Sequence, residues 1–203
     1  VDLGADFRLK SEQAWKQYYN DSYAGSWVYG LPELPGKREL IKKSSRVANP
    51  GCYATAIALA AAPAVLAGGV DASDIVVVAA SGTTGAGRSS KVALSASEIM
   101  NSMVSYKFGG VHQHTPEIEQ TLSELNSKEV KISFTPILAP MPRGILATVT
   151  AKTTLSEEAI RQSYEAAYLN EPFVHLLAKG QLPETSSLTG SNSVQMQIAV
   201  DSH

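Results

Sequence analysis

Two long apolar blocks dominate the pattern of the chain, and they differ in kind. The first, Ala54 to Val70, is mostly alanine, contains Pro63 and closes on Gly68-Gly69. It follows the turn signal Asn49-Pro50-Gly51, so the pattern predicts a buried helix opening at Cys52 and running to about Leu66. It is too alanine-rich and too interrupted for a membrane span, which needs roughly 20 strongly apolar residues. The second block, Asp74 to Ala80, is a continuous β-branched run and predicts a strand covered on both faces. Helices are expected over Lys91 to Met103, over Pro116 to Leu125, and from a Ser156 cap to about Leu169. Strands are expected over Val130 to Leu138 and Gly144 to Thr154, separated by the Pro140-Met141-Pro142-Arg143 turn, and over Val194 to Val200. Residues 1–49 read as an accessory stretch: a short strand (Val1-Asp2-Leu3), a polar region rich in Trp and Tyr, a loop from Tyr29 to Gly36, and Val47-Ala48 ending a strand. Strands alternate with helices and some strands adjoin. The fold class is therefore α/β of the α+β kind, a mixed β-sheet with helices packed on it.

Composition narrows the function classes. With 203 residues, 44% hydrophobic and 18% charged, the chain is long enough and apolar enough for a sizeable globular core. A formal net charge of −2, without any block of like charge, gives no case for nucleic acid or an anionic membrane as partner. The single cysteine excludes an internal disulfide framework and a multi-thiolate zinc site, and suits a reducing cytoplasm. No secretory signal opens the chain. It starts without Met inside a strand-like run and stops after another, as a fragment of a longer protein would.

Several residues could carry chemistry. Cys52 stands where a turn hands over to a helix, so the first-turn N–H groups and the helix dipole would favour its thiolate and could also hold an oxyanion; a small buried residue is the plainer alternative. His112 and His114, two apart in His112-Gln113-His114 just before a helix, would share one face of extended backbone and could provide acid–base catalysis near neutral pH. As a metal site the pair is weak, because Glu117 is the one near third ligand. The loop Ser81-Gly82-Thr83-Thr84-Gly85-Ala86-Gly87-Arg88 has the spacing G-x-x-G-x-G rather than the dinucleotide fingerprint. It reads equally as a backbone cradle for a ligand, with Arg88 for a phosphate, or as a tight turn. Arg8, Lys107 and Arg143 are further candidates for an anionic ligand.

Seven tracts, in one order, resemble the N-acetyl-γ-glutamyl-phosphate reductases: Asp2 to Leu9, Tyr29 to Glu33, Asn49 to Thr55, Ser81 to Arg88, His112 to Gln120, Pro142 to Leu146, and Gly190-Ser191-Asn192. That family usually has Arg between the two histidines, where this chain has Gln113. The resemblance implies a domain like the C-terminal domain of glyceraldehyde-3-phosphate dehydrogenase, with residues 1–49 as a remnant of a nucleotide-binding domain and linker and 50–203 as the catalytic and dimerisation domain. It implies NADPH-dependent reduction of an acyl phosphate in arginine biosynthesis through a thioester on Cys52, with His112 as acid–base group and His114 in support. Arg8, Lys107, Arg143 and Glu117 become substrate contacts, and Ser81, Gly82, Gly85, Gly87 and Arg88 lie at the nicotinamide end of NADP. It also implies a homo-oligomer formed through the sheet, and weak or no NADP binding by the fragment alone. Rival readings are an aspartate-semialdehyde dehydrogenase, a thiol hydrolase that needs no nicotinamide, and a non-catalytic dimerisation or ligand-binding domain.

Overall fold

The computed structural model describes residues 1–19, 21–86, 91–126 and 128–202. The accessory stretch is more regular than its sequence advertises. It holds helix α1 (Glu12–Tyr19), strand β1 (Val28–Tyr29), helix α2 (Lys37–Lys43) and strand β2 (Val47–Ala48). β1 and β2 pair in parallel, and the expected Val1–Leu3 strand is a single bridge from Asp2 to Ala48. Helix α3 (Cys52–Leu66) follows at once, starting at the predicted residue. Then come β3 (Ile75–Ser81), α4 (Ala96–Ile99), β4 (Val104–Ser105), α5 (His114–Ser123), β5 (Ile132–Leu138), β6 (Ile145–Thr150), α6 (Glu157–Tyr168), β7 (Val174–Leu176) and β8 (Val194–Met196).

The main sheet has the order β4-β5-β3-β6, with β5 parallel to β3 and both outer strands antiparallel to their neighbours. It is the expected mixed sheet. β5 and β6 are consecutive in sequence but lie on opposite sides of β3, so their connection must cross the C-terminal end of β3. That crossing matters for the site.

The core lies between the sheet and α3, which also packs on α5 and α6. Ile75, Val77 and Ala79 of β3 point into it and are buried, while Val76 and Val78 on the other face are 44% and 41% exposed. The expectation of a strand covered on both faces is thus corrected: helices cover one face, and in this chain the apolar opposite face is open. Pro63 sits inside α3 and has no N–H to offer the carbonyl of Leu59, four residues back. Tyr168 Oη donates to that carbonyl instead, and Tyr164 Oη donates to the next one, Ala60. Tyr168 thereby replaces the missing bond, and Tyr164 ties α6 to α3 beside it.

Two more expectations fail locally. Lys91 to Met103 is not one helix: a 3₁₀ turn at Val92–Leu94 and the four-residue α4 are separated by extended Ser95, and Asn101 adopts φ 63°. Val92, Met100 and Met103 are exposed, so they bury little apolar surface that would support a longer helix there. The last strand ends at Met196 rather than Val200. The Ser156 cap forms as expected, its Oγ accepting from Ala159 N at 3.2 Å.

Candidate active site

The turn Asn49-Pro50-Gly51 delivers Cys52 to the N-terminus of α3, where its side chain is exposed. The main-chain N–H groups of Cys52 and Tyr53 reach the sulfur and favour its thiolate, as does the charge of Arg8. Burial of the sulfur's inner side outweighs them and pushes the thiol above its ordinary value. The sequence argument named the N–H groups that reach the sulfur; the burial that opposes them depends on packing it did not weigh.

The two histidines meet, though not by sharing a face of extended backbone. Gln113 is helical (φ −59°, ψ −22°), α5 starts at His114, and His114 N donates to His112 Nδ1 at 3.0 Å. That bond leaves the proton of neutral His112 on Nε2. His112 is buried in a ring of Tyr53, Tyr106, Phe134 and His114. His114 lies against the nucleophile turn: a Cβ on Gly51 would stand 2.5 Å from His114 Nε2, so only glycine fits. His114 Nδ1 is buried without a hydrogen-bond partner among the described residues. Burial pulls His112 down to about 3 and His114 down to about 4, with Lys107 adding to both and Arg8 to His114. Both rings are neutral at pH 7, so neither supplies an imidazolium to pair with a thiolate.

Beneath the turn lies a buried ion pair. Glu117 of α5 accepts from Gly51 N and from Tyr29 Oη, both at 2.8 Å on Oε1, and pairs with Arg8 at 3.5 Å through Oε2. Arg8 Nε donates to Asn49 O at 2.7 Å. Burial raises the Glu117 carboxyl, and Arg8 and the two donors restrain the shift. Both Arg8 and Glu117 were expected at the substrate; they are buried and engaged with each other and with the turn. Lys107 is exposed, at φ 45°, and its Nζ donates to Gln113 Oε1 at 2.6 Å. Arg143 is exposed on the β5–β6 connection. Sequence reasoning missed Tyr29, Tyr53 and Tyr106; Tyr53 and Tyr106 share an Oη–Oη hydrogen bond of 2.9 Å. The adjacency of Tyr53 to Cys52 was the available signal.

The glycine-rich loop is taken up by the crossing connection. Gly82 N donates to Gly144 O, Thr83 N to Met141 O and Thr84 N to Pro142 O, at 2.9, 2.9 and 3.1 Å. A Cβ on Gly82 would stand 2.6 Å from Arg143 N, so the glycine admits the chain's own backbone. Ser81 and Gly82 are buried, with Ser81 O accepting from Ala139 N and Gly82 N donating to Gly144 O. With these donors taken, residues 81–84 do not fit a dinucleotide's phosphates. Thr84, Gly85 and Ala86 are exposed and fit contact with the flat end of a nicotinamide. Gly87 and Arg88 lie outside the described residues.

The model of the semialdehyde dehydrogenase dimerisation domain matches residues 52–203. The chain belongs to the semialdehyde dehydrogenase family. Among curated members of this family, it is 59% identical, over 99% of its length, to a protein of Acidothermus cellulolyticus named N-acetyl-gamma-glutamyl-phosphate reductase. It covers 59% of that protein, so it spans about three fifths of the relative's length. In fold it is similar to aspartate semialdehyde dehydrogenase II from Vibrio cholerae, with a TM-score of 0.62 at 14% identity over 82% of this chain and 56% of that one. The Candida albicans aspartate semialdehyde dehydrogenase, solved with NADP, gives a TM-score of 0.53 at 13% identity over 78% of this chain and 53% of that one. Among the described residues, no helix is long and apolar enough to cross a membrane.

Proposed function

We propose that this chain is the catalytic part of an N-acetyl-γ-glutamyl-phosphate reductase, a cytoplasmic NADPH-dependent enzyme of arginine biosynthesis. The observation that carries the reading is the exposed sulfur of Cys52 at the start of α3, with the N–H groups of Cys52 and Tyr53 on it. The 59% identity to the Acidothermus reductase supports the substrate class.

In this reading the Cys52 thiolate attacks the acyl carbonyl and the carbon–oxygen bond to phosphate breaks, leaving a thioester and free phosphate. NADPH, when bound, supplies the hydride that brings the thioester carbon to the aldehyde level. The remaining work belongs to the chain. The first-turn N–H groups stabilise the oxygen on which charge develops. His112 is the side-chain donor to that oxygen: Nδ1 is engaged by His114 N, so Nε2–H is its working atom, and collapse of the alkoxide returns the thiolate without a proton from the ring. A neutral, low-pKa imidazole suits donation to a developing oxyanion. Collapse of the thiohemiacetal releases the semialdehyde and returns the thiolate. Lys107, exposed and with its charge felt by both rings, receives the substrate phosphate, and Arg143 is a further anion contact. Residues 1–49 are the linker and remnant of a nucleotide-binding domain that carries the cofactor's phosphates, and 50–203 the catalytic and dimerisation domain. The open apolar face of the sheet, with Val76, Val78 and Leu146, is where a second copy packs.

The test is an assay of the whole protein, with its nucleotide-binding domain, given NADPH and either N-acetyl-γ-glutamyl phosphate or aspartyl phosphate. Oxidation of NADPH with the first and not the second is expected. Preference for aspartyl phosphate, or release of the free acid without NADPH oxidation, would overturn the reading.

A further inference from the structure

The buried pair Arg8–Glu117 touches both sides of the nucleophile turn and nothing else in the proposed chemistry uses it. Glu117 Oε1 holds Gly51 N, the residue before Cys52, and Arg8 Nε holds the carbonyl of Asn49, two residues earlier. Tyr29 closes the set from β1 by donating to the same Oε1. The three side chains come from three distant places: Arg8 and Tyr29 from the accessory stretch, Glu117 from α5. Within the turn, Asn49 N is taken by Asp2 O and Pro50 carries no N–H, so Gly51 N is the donor left before the helix, and it is the one that Glu117 takes.

Burying two opposite charges stabilises little by itself, since desolvation offsets the attraction. What such a pair supplies is geometry: full bonding on both partners fixes the backbone they share. We propose that Arg8 and Glu117 are positioning residues, a charged clamp that sets the place of the Cys52 turn and the electrostatic balance at its sulfur. The inference rests on the reading of Cys52 as a nucleophile.

The two halves of the clamp act oppositely on the sulfur: the guanidinium charge favours the thiolate and the carboxylate opposes it. The other groups around the sulfur are Tyr53 of α3, Tyr106 after β4, and His114 of α5 against Gly51. The phenols are raised by burial and the ring is neutral, so the Arg8–Glu117 ion pair is what remains to set the charge at the sulfur. A purely structural role would move both single variants in one direction. The clamp moves them apart.

The experiment measures the alkylation rate of Cys52 by iodoacetamide against pH in the full chain, for wild type, Arg8→Met, Glu117→Gln and the double variant. Glu117→Gln keeps an oxygen for Gly51 N and removes the negative charge, so the apparent thiol pKa falls. Arg8→Met raises it, and the double variant returns towards wild type. Arg8→Lys, which keeps the charge but not the bond to Asn49 O, holds the thiol pKa near wild type while kcat falls, by about a hundredfold for a nucleophile displaced on the ångström scale. Shifts of Arg8→Met and Glu117→Gln in the same direction, or no shift in either, would overturn the clamp. Because alkylation needs neither acyl phosphate nor NADPH, a clamp that passes beside a failed reductase assay would sink the substrate reading and leave the clamp standing. Glu117→Ala, which also removes the acceptor for Gly51, is the comparison expected to lose the fold.

Discussion

Two glycine-bearing turns follow strands in this molecule, and both looked like anion sites. At Asn49-Pro50-Gly51, buried side chains hold the backbone from beneath, and the N–H groups of Cys52 and Tyr53 remain for the sulfur. At Ser81 to Ala86, main chain meets main chain: the β5–β6 connection takes the N–H groups of Gly82, Thr83 and Thr84. Composition does not separate the two. What separates them is whether the topology brings another strand connection across the turn, and a sheet ordered β4-β5-β3-β6 forces one across the end of β3.

The sharpest way to press this contrast is through the residues that do chemistry at the first turn. His112→Asn should lower kcat by roughly 10²–10³-fold, the effect of losing one oxyanion donor, with the melting temperature little changed. His114→Asn should cost less activity, and the reverse order in steady-state kinetics would transfer the donor role to His114. The two glycines come next. Gly51→Ala forces the His114 ring aside and should lower kcat by about a hundredfold through misplacement. Gly82→Ala drives a methyl group into the Arg143 backbone and should lower stability by about 1–3 kcal/mol in denaturant unfolding, as overpacking, not as a lost ligand contact. If Gly82→Ala weakens NADPH binding in a titration while leaving stability alone, the second turn is a cofactor cradle after all.

How far the sequence reached follows the same divide. Local signals were legible: the Asn-Pro-Gly turn before α3, the Gly68-Gly69 stop, the Ser156 cap and the β-branched run of β3. Long-range consequences were not. Arg8 and Glu117 lie 109 positions apart, and nothing local states that they pair. The crossing that occupies Gly82 depends on strand order, which hydrophobic pattern does not encode. α1 and α2 escaped notice because their aromatic and charged residues obscured the period, although Ser11 caps α1 through a bond from Ala14 N at 3.2 Å. The one-sided burial of β3 was missed because Val76 and Val78 are as apolar as Ile75 and Val77.

Smaller effects refine the comparison. His112 and His114 have folded values near 3 and 4, below the ordinary 6.5. The unfolded chain therefore takes up their protons first, and their contribution to stability is complete above pH 6.5 and is lost as pH falls towards 3–4. Denaturant midpoints measured across that window should fall with acid, and the slope should flatten in the double variant His112→Asn/His114→Asn. Thr84→Val removes the bond from Thr84 Oγ1 to Pro142 O and should cost about 1 kcal/mol in denaturant unfolding.

The most direct measurement of the central claim is mass spectrometry of the full chain mixed with N-acetyl-γ-glutamyl phosphate, without NADPH, and quenched in acid. The account predicts an N-acetylglutamyl adduct on the peptide that carries Cys52, formed as phosphate is released and absent in Cys52→Ser. Phosphate release with no adduct on that peptide at any time, or undiminished turnover by Cys52→Ser, would contradict it.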